Sequence, residues 1–279
     1  MDLISISNAD LVNLYNKRTL ISSINLHIED GDIVLLSGTN GSGKSTLIKA
    51  LFGNQFTEEN YAKLHNSEIS FLEKKNLSDL HEYTEFCIYI DQNIEPGKVN
   101  RTVEKILLES IPESIKNKKE YFENFLEKYI ILTNEDKEGE FDFKKKKQTK
   151  PFLKRPYYSL SGGQKKWVCI LQGLIKVDVP SIKVAFIDEP LNNLDAKRIK
   201  QFSDIMLRIK YIKRQNLENF AFVIVSHCKA FPRITKLYEI ENLILEDKSH
   251  EINKIENCKS CFGQSDELGF YDCKYNPEK

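Results

Sequence analysis

Residues 38–45, which read GTNGSGKS, constrain the fold of this chain more than any other stretch. They match the phosphate-loop pattern G-x-x-x-x-G-K-[ST] at every fixed position. The apolar run at 32–37 predicts a buried strand before the loop, and residues 46–51 predict a helix after it. The glycines allow the backbone N–H groups to curl toward a polyphosphate at the helix N-terminus. We therefore expect an α/β fold that binds a nucleotide phosphate.

The side chains of this loop are expected to bind the phosphates and their metal ion. Lys44 supplies a positive charge for the β- and γ-phosphates, and the Ser45 hydroxyl is a ligand for Mg²⁺. The residues predicted to contact the nucleotide here are Gly38, Asn40, Gly41, Ser42, Gly43, Lys44, Ser45 and Thr46.

A second strand supplies the carboxylates that such a loop needs. Residues 184–187 predict a buried strand that ends at Asp188 and Glu189. Asp188 is expected to hold Mg²⁺ through the water shell of the ion. Because adjacent strand residues point in different directions, Glu189 can face the γ-phosphate and polarise a water molecule.

Polar residues also follow two other predicted strands. Gln92 follows the strand at 85–90, and His227 follows the strand at 219–225. Ligands of open parallel sheets bind at the carboxyl ends of the strands, so both residues are candidates for the site. Tyr15 falls in a predicted turn of an antiparallel β layer formed by residues 1–30. Its ring can stack on a purine or cover the sheet edge, and the residues themselves leave both open.

A second helix start is also suited to an anion. Ser161–Gln164 reads SGGQ and directly precedes a helix with apolar residues at helical spacing from 167 to 175. A serine and two glycines at this position again predict an anion-receiving N-terminus, and the residues concerned are Ser161, Gly162, Gly163 and Gln164.

The order of these motifs resembles that of the ATP-binding-cassette (ABC) ATPases. By this resemblance, the Walker A motif is Gly38–Ser45, the signature is Leu160–Gln164, and the Walker B motif is Val184–Asp188. The resemblance further implies a glutamine loop with a Mg²⁺ ligand at Gln92, an adenine-stacking aromatic at Tyr15, a catalytic glutamate at Glu189, a D-loop at Asp195 and a switch histidine at His227.

The resemblance also implies a fold. It is an α/β P-loop NTPase core with a mixed parallel sheet, an N-terminal antiparallel β layer and an α-helical lobe. We expect the core at 1–97 and 159–245, the lobe at 98–158 with a charged insertion at 133–155, and a polar tail at 246–279.

The resemblance implies an ATPase with ATP and Mg²⁺ as cofactors. Two copies, or a copy and a related subunit, would close around two ATP molecules, each held between the phosphate loop of one subunit and the signature of the other. The dimer would power transport through separate integral membrane permease subunits. The alternative is an ABC ATPase that acts on the ribosome or on nucleic acid.

Charge and hydropathy bear on these partners. The 41 basic residues balance the 41 acidic ones, so no overall field favours nucleic acid or an anionic membrane. The lysine run at 144–147 is either a solvated insertion or a contact for nucleic acid or lipid head groups. No apolar stretch approaches the roughly 20 residues of a membrane span, and residues 1–5 do not resemble a secretion signal. We expect a cytoplasmic protein that reaches the membrane through its partners.

The tail contains a small cluster of cysteines. Cys258 and Cys261 form a C-x-x-C pair, Cys273 follows, and His250 lies before them. Four such side chains can hold a structural Zn²⁺, whereas the second C-x-x-C pair typical of such sites is absent. The sequence leaves open whether these residues bind Zn²⁺ or are free thiols.

Overall fold

A computed structural model gives the fold of most of the chain. It describes residues 1–51, 62–65, 68–72, 85–91, 100–131, 152–192, 194, 196–226, 231 and 233–252. The strands are β1 (Asp2–Asn13), β2 (Thr19–Glu29), β3 (Ile33–Gly38), β4 (Ala62–His65), β5 (Glu68–Phe71), β6 (Cys87–Ile90), β7 (Val184–Asp188), β8 (Ala221–Val225), β9 (Lys236–Glu241) and β10 (Ile244–Asp247). The α-helices are α1 (Lys44–Leu51), α2 (Val103–Glu109), α3 (Lys118–Leu126), α4 (Gly162–Val177) and α5 (Ala196–Gln215).

The strands join into one mixed sheet. Its order is β4-β1-β2-β10-β9-β3-β8-β7-β6, and β5 pairs with the other end of β1. Strands β9, β3, β8, β7 and β6 run parallel to one another, whereas β1 pairs antiparallel with β2, β4 and β5. A mixed parallel sheet with an N-terminal antiparallel layer was predicted from the sequence, and the structure confirms it.

The central strands are buried because both of their faces are apolar. Every residue of β7 and of β8 is buried, as is every residue of β3 before Gly38. Such continuous burial is typical of parallel strands covered on both faces. The two strands that lead into the phosphate loop and the carboxylates are therefore held rigidly by their neighbours, which fixes the starting positions of Gly38 and Asp188.

Some elements were not predicted. Strands β4 and β5 are too short for a clear alternating pattern in the sequence. The hairpin of β9 and β10 was also not predicted, although Leu237, Tyr238 and Ile240 are buried there. Within the described part of residues 98–158, where the helical lobe was expected, α2 and α3 are separate helices, and the break between them includes Pro112, which lacks a backbone donor.

The chain divides into two compact units. One comprises residues 1–92, 181–191 and 212–279 and contains the whole sheet with α1. The other comprises 93–180 and 192–211 and is helical. Within the helical unit, the Tyr121 hydroxyl donates to the Ile175 carbonyl at 2.9 Å, which ties α3 to α4. The domain boundaries expected from the sequence remain predictions.

None of the helices in the described part of the chain has the length and apolar composition needed to cross a bilayer.

A buried ion pair stabilises the end of α5 in the sheet-containing unit. The Lys213 side chain is only 2% exposed, and its ammonium lies 2.9 Å from a Glu218 carboxylate oxygen and 5.2 Å from the centre of the Phe220 ring. Removing one member of such a pair is costly because the other charge stays buried.

We expect Glu218→Ala to lower the free energy of unfolding by about 3 kcal/mol, measured by urea denaturation. The double variant Lys213→Met/Glu218→Ala should recover most of that loss, since the buried charge is gone. Glu246→Ala, which removes the more exposed member of the surface pair with Lys248, is the matched control and should change stability little. If Glu218→Ala and Glu246→Ala lowered the free energy of unfolding equally, burial of the Lys213 charge would not be the cause of the loss.

Candidate functional site: the phosphate loop and its carboxylates

The phosphate loop lies between β3 and α1 and depends on glycine geometry. Gly38, Gly41 and Gly43 have φ values of 145°, 78° and 99°, which L side chains rarely adopt. At Gly38 space is limited as well, because a Cβ would lie 2.7 Å from the Ile240 carbonyl oxygen of β9 and 2.8 Å from the Ser42 hydroxyl oxygen. The loop thus packs directly against the backbone of β9.

Gly38→Ala is expected to disrupt the loop. The new methyl group must displace either a backbone carbonyl of β9 or the Ser42 side chain, so nucleotide affinity and melting temperature should both fall. Gly41→Ala is the control, since a Cβ there meets no atom within 4 Å and the cost is confined to the backbone conformation, about 1 kcal/mol. Equal effects of the two variants, measured by calorimetry and nucleotide titration, would contradict this account.

Lys44 is buried inside the loop. Its side chain donates to the backbone carbonyls of Gly38 at 2.8 Å and Thr39 at 2.9 Å. Burial lowers the pKa of Lys44, and the nearby charges of Glu189 and Asp188 act in the opposite direction. The ammonium is therefore partly stripped of water within the loop, and its contact with a phosphate stays a prediction.

The helix end of the loop contacts the carboxylate strand. The Ser45 hydroxyl donates to one oxygen of Asp188 at 3.0 Å, and the Tyr89 hydroxyl donates to the other at 3.0 Å. Ser45 and Asp188, predicted to serve the same metal ion, are thus brought together from positions 143 residues apart. Tyr89 was not predicted as a site residue, because no local motif marks it and only the pairing of β6 with β7 reveals it.

Glu189 follows Asp188 in an unusual conformation. Its φ is 45°, it is 5% exposed, and its backbone N–H donates to the Val225 carbonyl at 3.0 Å. A left-handed residue turns the chain sharply at the end of β7, so that Glu189 leaves the pleated alternation of the strand. The side chain stays close enough to Lys44 for their charges to interact.

The residues present fit a polyphosphate and Mg²⁺. The Ser42 hydroxyl oxygen is buried and has no hydrogen-bond partner among the described residues, so it can still bond to a phosphate. Gly38, Gly41 and Gly43 give the loop the positive φ values of its tight curl. The Ser45 hydroxyl and the Asp188 carboxylate supply oxygen, which is the ligand that Mg²⁺ prefers. Asn40 and Thr46, at the tip of the loop and in α1, complete the predicted set.

Tyr15 lies in the turn after β1. It is 80% exposed, and its backbone N–H is held by the Asn13 side chain at 2.9 Å. A ring that is this exposed does not cover the sheet edge, which was one of the two interpretations left open. Stacking on a purine stays a prediction.

The signature residues belong to the helical unit. Ser161 caps α4 in a capping box, where its N–H donates to the Gln164 side chain at 3.0 Å and its hydroxyl accepts from the Gln164 N–H at 3.4 Å. A Cβ built on Gly162 would meet no atom within 4 Å, so space is open there. The helix start is thus preformed, as the sequence predicted, and Gly163 lies in its first turn.

Several predicted residues lie outside the described part of the chain. These are Gln92, Asp195, His227, the lysine run at 144–147, Cys258, Cys261 and Cys273. Within the described ranges, one group of potential metal ligands is found, formed by Asp2, His27 and Glu29. Glu29 already pairs with the Lys236 ammonium at 2.6 Å, which opposes a cation there.

Comparison with known proteins identifies the family of the chain. The family model described as ABC transporter matches residues 21–192, more than half of the chain. The phosphonates import ATP-binding protein PhnC of Fusobacterium nucleatum subsp. nucleatum is 26% identical over 255 residues, covering 88% of this chain and 93% of that protein. The energy-coupling factor transporter ATP-binding protein EcfA1 of the same organism is 28% identical over 216 residues, covering 76% and 69%.

Solved structures agree on the fold. A crystal structure of an ATP-binding cassette of an ABC transporter matches with a TM-score of 0.65 at 21% identity, covering 93% of this chain and 97% of that one. The predicted P-loop core with its antiparallel β layer is confirmed. With residues 21–192 matched by the family model, this chain belongs to the ABC transporter family as an ATP-binding cassette.

Proposed function

We propose that this chain is an ATP-hydrolysing subunit that forms a dimer around two MgATP molecules and powers transport through separate membrane-spanning subunits. The observation that carries the proposal is the hydrogen bond of 3.0 Å between Ser45 and Asp188. It joins the phosphate loop to the Walker B carboxylate, which is the arrangement that a Mg²⁺-bound triphosphate requires.

The binding roles follow from the contacts. Lys44 would exchange the carbonyls of Gly38 and Thr39 for phosphate oxygens. The negative charge of the phosphates would stabilise the ammonium form, whose pKa burial lowers. The N–H groups of the loop and the start of α1 would bind the same phosphates. Ser45 and Asp188 would hold Mg²⁺, which neutralises charge on the β- and γ-phosphates.

Glu189 is proposed as the general base. Its carboxylate would accept a proton from the water that attacks the γ-phosphorus, while ADP leaves with the electrons of the broken bond. The left-handed turn at Glu189 supports this role, because strained backbone at the end of a strand is typical of functional positions. Gln92 and His227 are proposed to contact the γ-phosphate and the water from the ends of their strands.

The dimer is proposed from the signature. Ser161–Gln164 forms a preformed helix start with open space above Gly162, which suits the γ-phosphate of an ATP bound to a second subunit. Asp195 would act at the same interface, and Tyr15 would stack on the adenine. A homodimer or a heterodimer satisfies this chemistry equally well.

The membrane partner is proposed from the relatives. PhnC is named as an import protein for phosphonates and EcfA1 as part of an energy-coupling factor transporter, and both are ATP-binding proteins of transport systems. We propose that the present chain likewise works at the cytoplasmic face of a membrane, held there by permease subunits. The names favour this over a ribosomal or nucleic-acid role.

Purification of the tagged chain from its native cells in mild detergent tests the proposal. A stoichiometric integral membrane protein that co-purifies, together with ATPase activity that requires Mg²⁺, is the expected result. Recovery of ribosomal particles, or of nucleic acid bound in a salt-sensitive manner, would instead overturn the transport role. The absence of ATPase activity in a folded preparation with its partners would overturn the enzymatic one.

A further inference from the structure

The Asp188 carboxylate is held by two hydroxyl groups, one on each oxygen. Ser45 donates to the first oxygen and Tyr89 to the second, each at 3.0 Å. Ser45 belongs to the phosphate-loop motif, whereas nothing in the motif accounts for Tyr89. Its phenol reaches into the site from β6, which is separated by two strands, β8 and β7, from the strand β3 that carries the loop.

The register of the sheet explains this reach. Tyr89 of β6 pairs with Phe186 of β7, and parallel partners point to the same face of the sheet. Asp188 lies two residues beyond Phe186, so its side chain is on that face as well. A diagonal neighbour in a sheet is within reach of a long aromatic side chain, and a tyrosine spans the distance with its hydroxyl. A phenylalanine in this place would pack equally well but would donate nothing.

The two hydrogen bonds restrict how the carboxylate can rotate. The χ2 torsion of an aspartate has a broad energy minimum, so a carboxylate held at one oxygen can still turn about that contact. A second donor on the opposite oxygen fixes the plane of the group. Hydrogen bonds to a charged acceptor are also stronger than neutral ones, which makes both contacts effective restraints.

We propose that Tyr89 is a positioning residue for the Mg²⁺ site. By holding the second oxygen of Asp188, it keeps the first oxygen directed at Ser45, so that the hydroxyl and the carboxylate face one ion together. Loss of a partner that orients a metal-binding side chain typically lowers metal affinity by about 10- to 100-fold. This inference rests on the proposed MgATP function of the loop.

Tyr89→Phe tests the role, because it removes one oxygen atom and preserves the packing of the ring. The matched control is Tyr238→Phe on β9, which removes a phenol that bonds to the His27 backbone at 3.3 Å in the same unit. Both variants lose one hydroxyl from the sheet, but only the first loses a contact with Asp188. A non-hydrolysable ATP analogue and Mn²⁺, whose free form is counted by electron paramagnetic resonance, serve as the probes.

The expected result is an increase of about tenfold in the Mn²⁺ or Mg²⁺ concentration at half-saturation for Tyr89→Phe, with the control unchanged. Binding of the analogue in the presence of EDTA should be the same in both variants and the wild type. Unchanged or tighter metal binding in a folded Tyr89→Phe variant would overturn the inference, as would an equal weakening in Tyr238→Phe. If nucleotide binding by the wild-type protein did not depend on the metal ion, the MgATP proposal itself would be overturned.

Discussion

Glu189→Gln is expected to bind MgATP as tightly as the wild type and to hydrolyse it about 10² to 10⁴ times more slowly. The amide keeps the size and hydrogen-bonding shape of the side chain but cannot accept the proton of the attacking water. Because Glu189 is only 5% exposed, its replacement by a neutral group removes a buried charge and should not destabilise the fold. Binding and chemistry are thereby separated in one variant.

The same variant reports on the proposed dimer. If ATP joins two subunits and only hydrolysis parts them, Glu189→Gln should accumulate as a dimer in the presence of ATP and Mg²⁺, visible by size-exclusion chromatography with light scattering. Glu241→Gln, an exposed change at the end of β9, is the control and should behave as the wild type. Full turnover in Glu189→Gln would remove Glu189 from the role of base.

Lys44→Ala is expected to weaken nucleotide binding by about 100-fold, since charge-assisted hydrogen bonds to the phosphates are lost. The loop carbonyls of Gly38 and Thr39 lose their donor as well, so the loop itself is less ordered. Lys44→Arg should not rescue binding, because a planar guanidinium does not fit a position that is 5% exposed.

Isothermal titration with ATP and Mg²⁺ measures this loss. Lys49→Ala removes one positive charge from the last turn of α1. It is the control for the change in net charge that Lys44→Ala also causes. The control should retain its affinity to within a small factor. A Lys44→Ala variant that binds ATP nearly as well as the wild type would show that the backbone N–H groups alone hold the phosphates.

The loop and the carboxylate strand could be predicted because their signals are local. Eight consecutive residues specify the loop, and four apolar residues followed by two acids specify the end of β7. The contact between Ser45 and Asp188 then follows from the general arrangement of parallel strands. Each of these inferences needed only the residues at hand and the rule that ligands bind where parallel strands end.

The remaining features depend on pairings that no short stretch encodes. Tyr89 reaches Asp188 only because β6 and β7 pair in one particular register. The left-handed φ of Glu189 depends on the neighbouring Val225 of β8, whose carbonyl accepts its N–H. Strands β4 and β5 have four residues each, too few for alternation to be distinguished from chance.

The close approach of Gly38 to Ile240 has a consequence for the order of events during synthesis. The residues of the phosphate loop are all synthesised once residue 45 is made. Strand β9, against which the loop packs, lies nearly two hundred residues further along the chain. Until β9 has left the ribosome, the loop lacks the backbone against which it packs. Nucleotide binding by the nascent protein is therefore expected to begin only after β9 has emerged and joined the sheet.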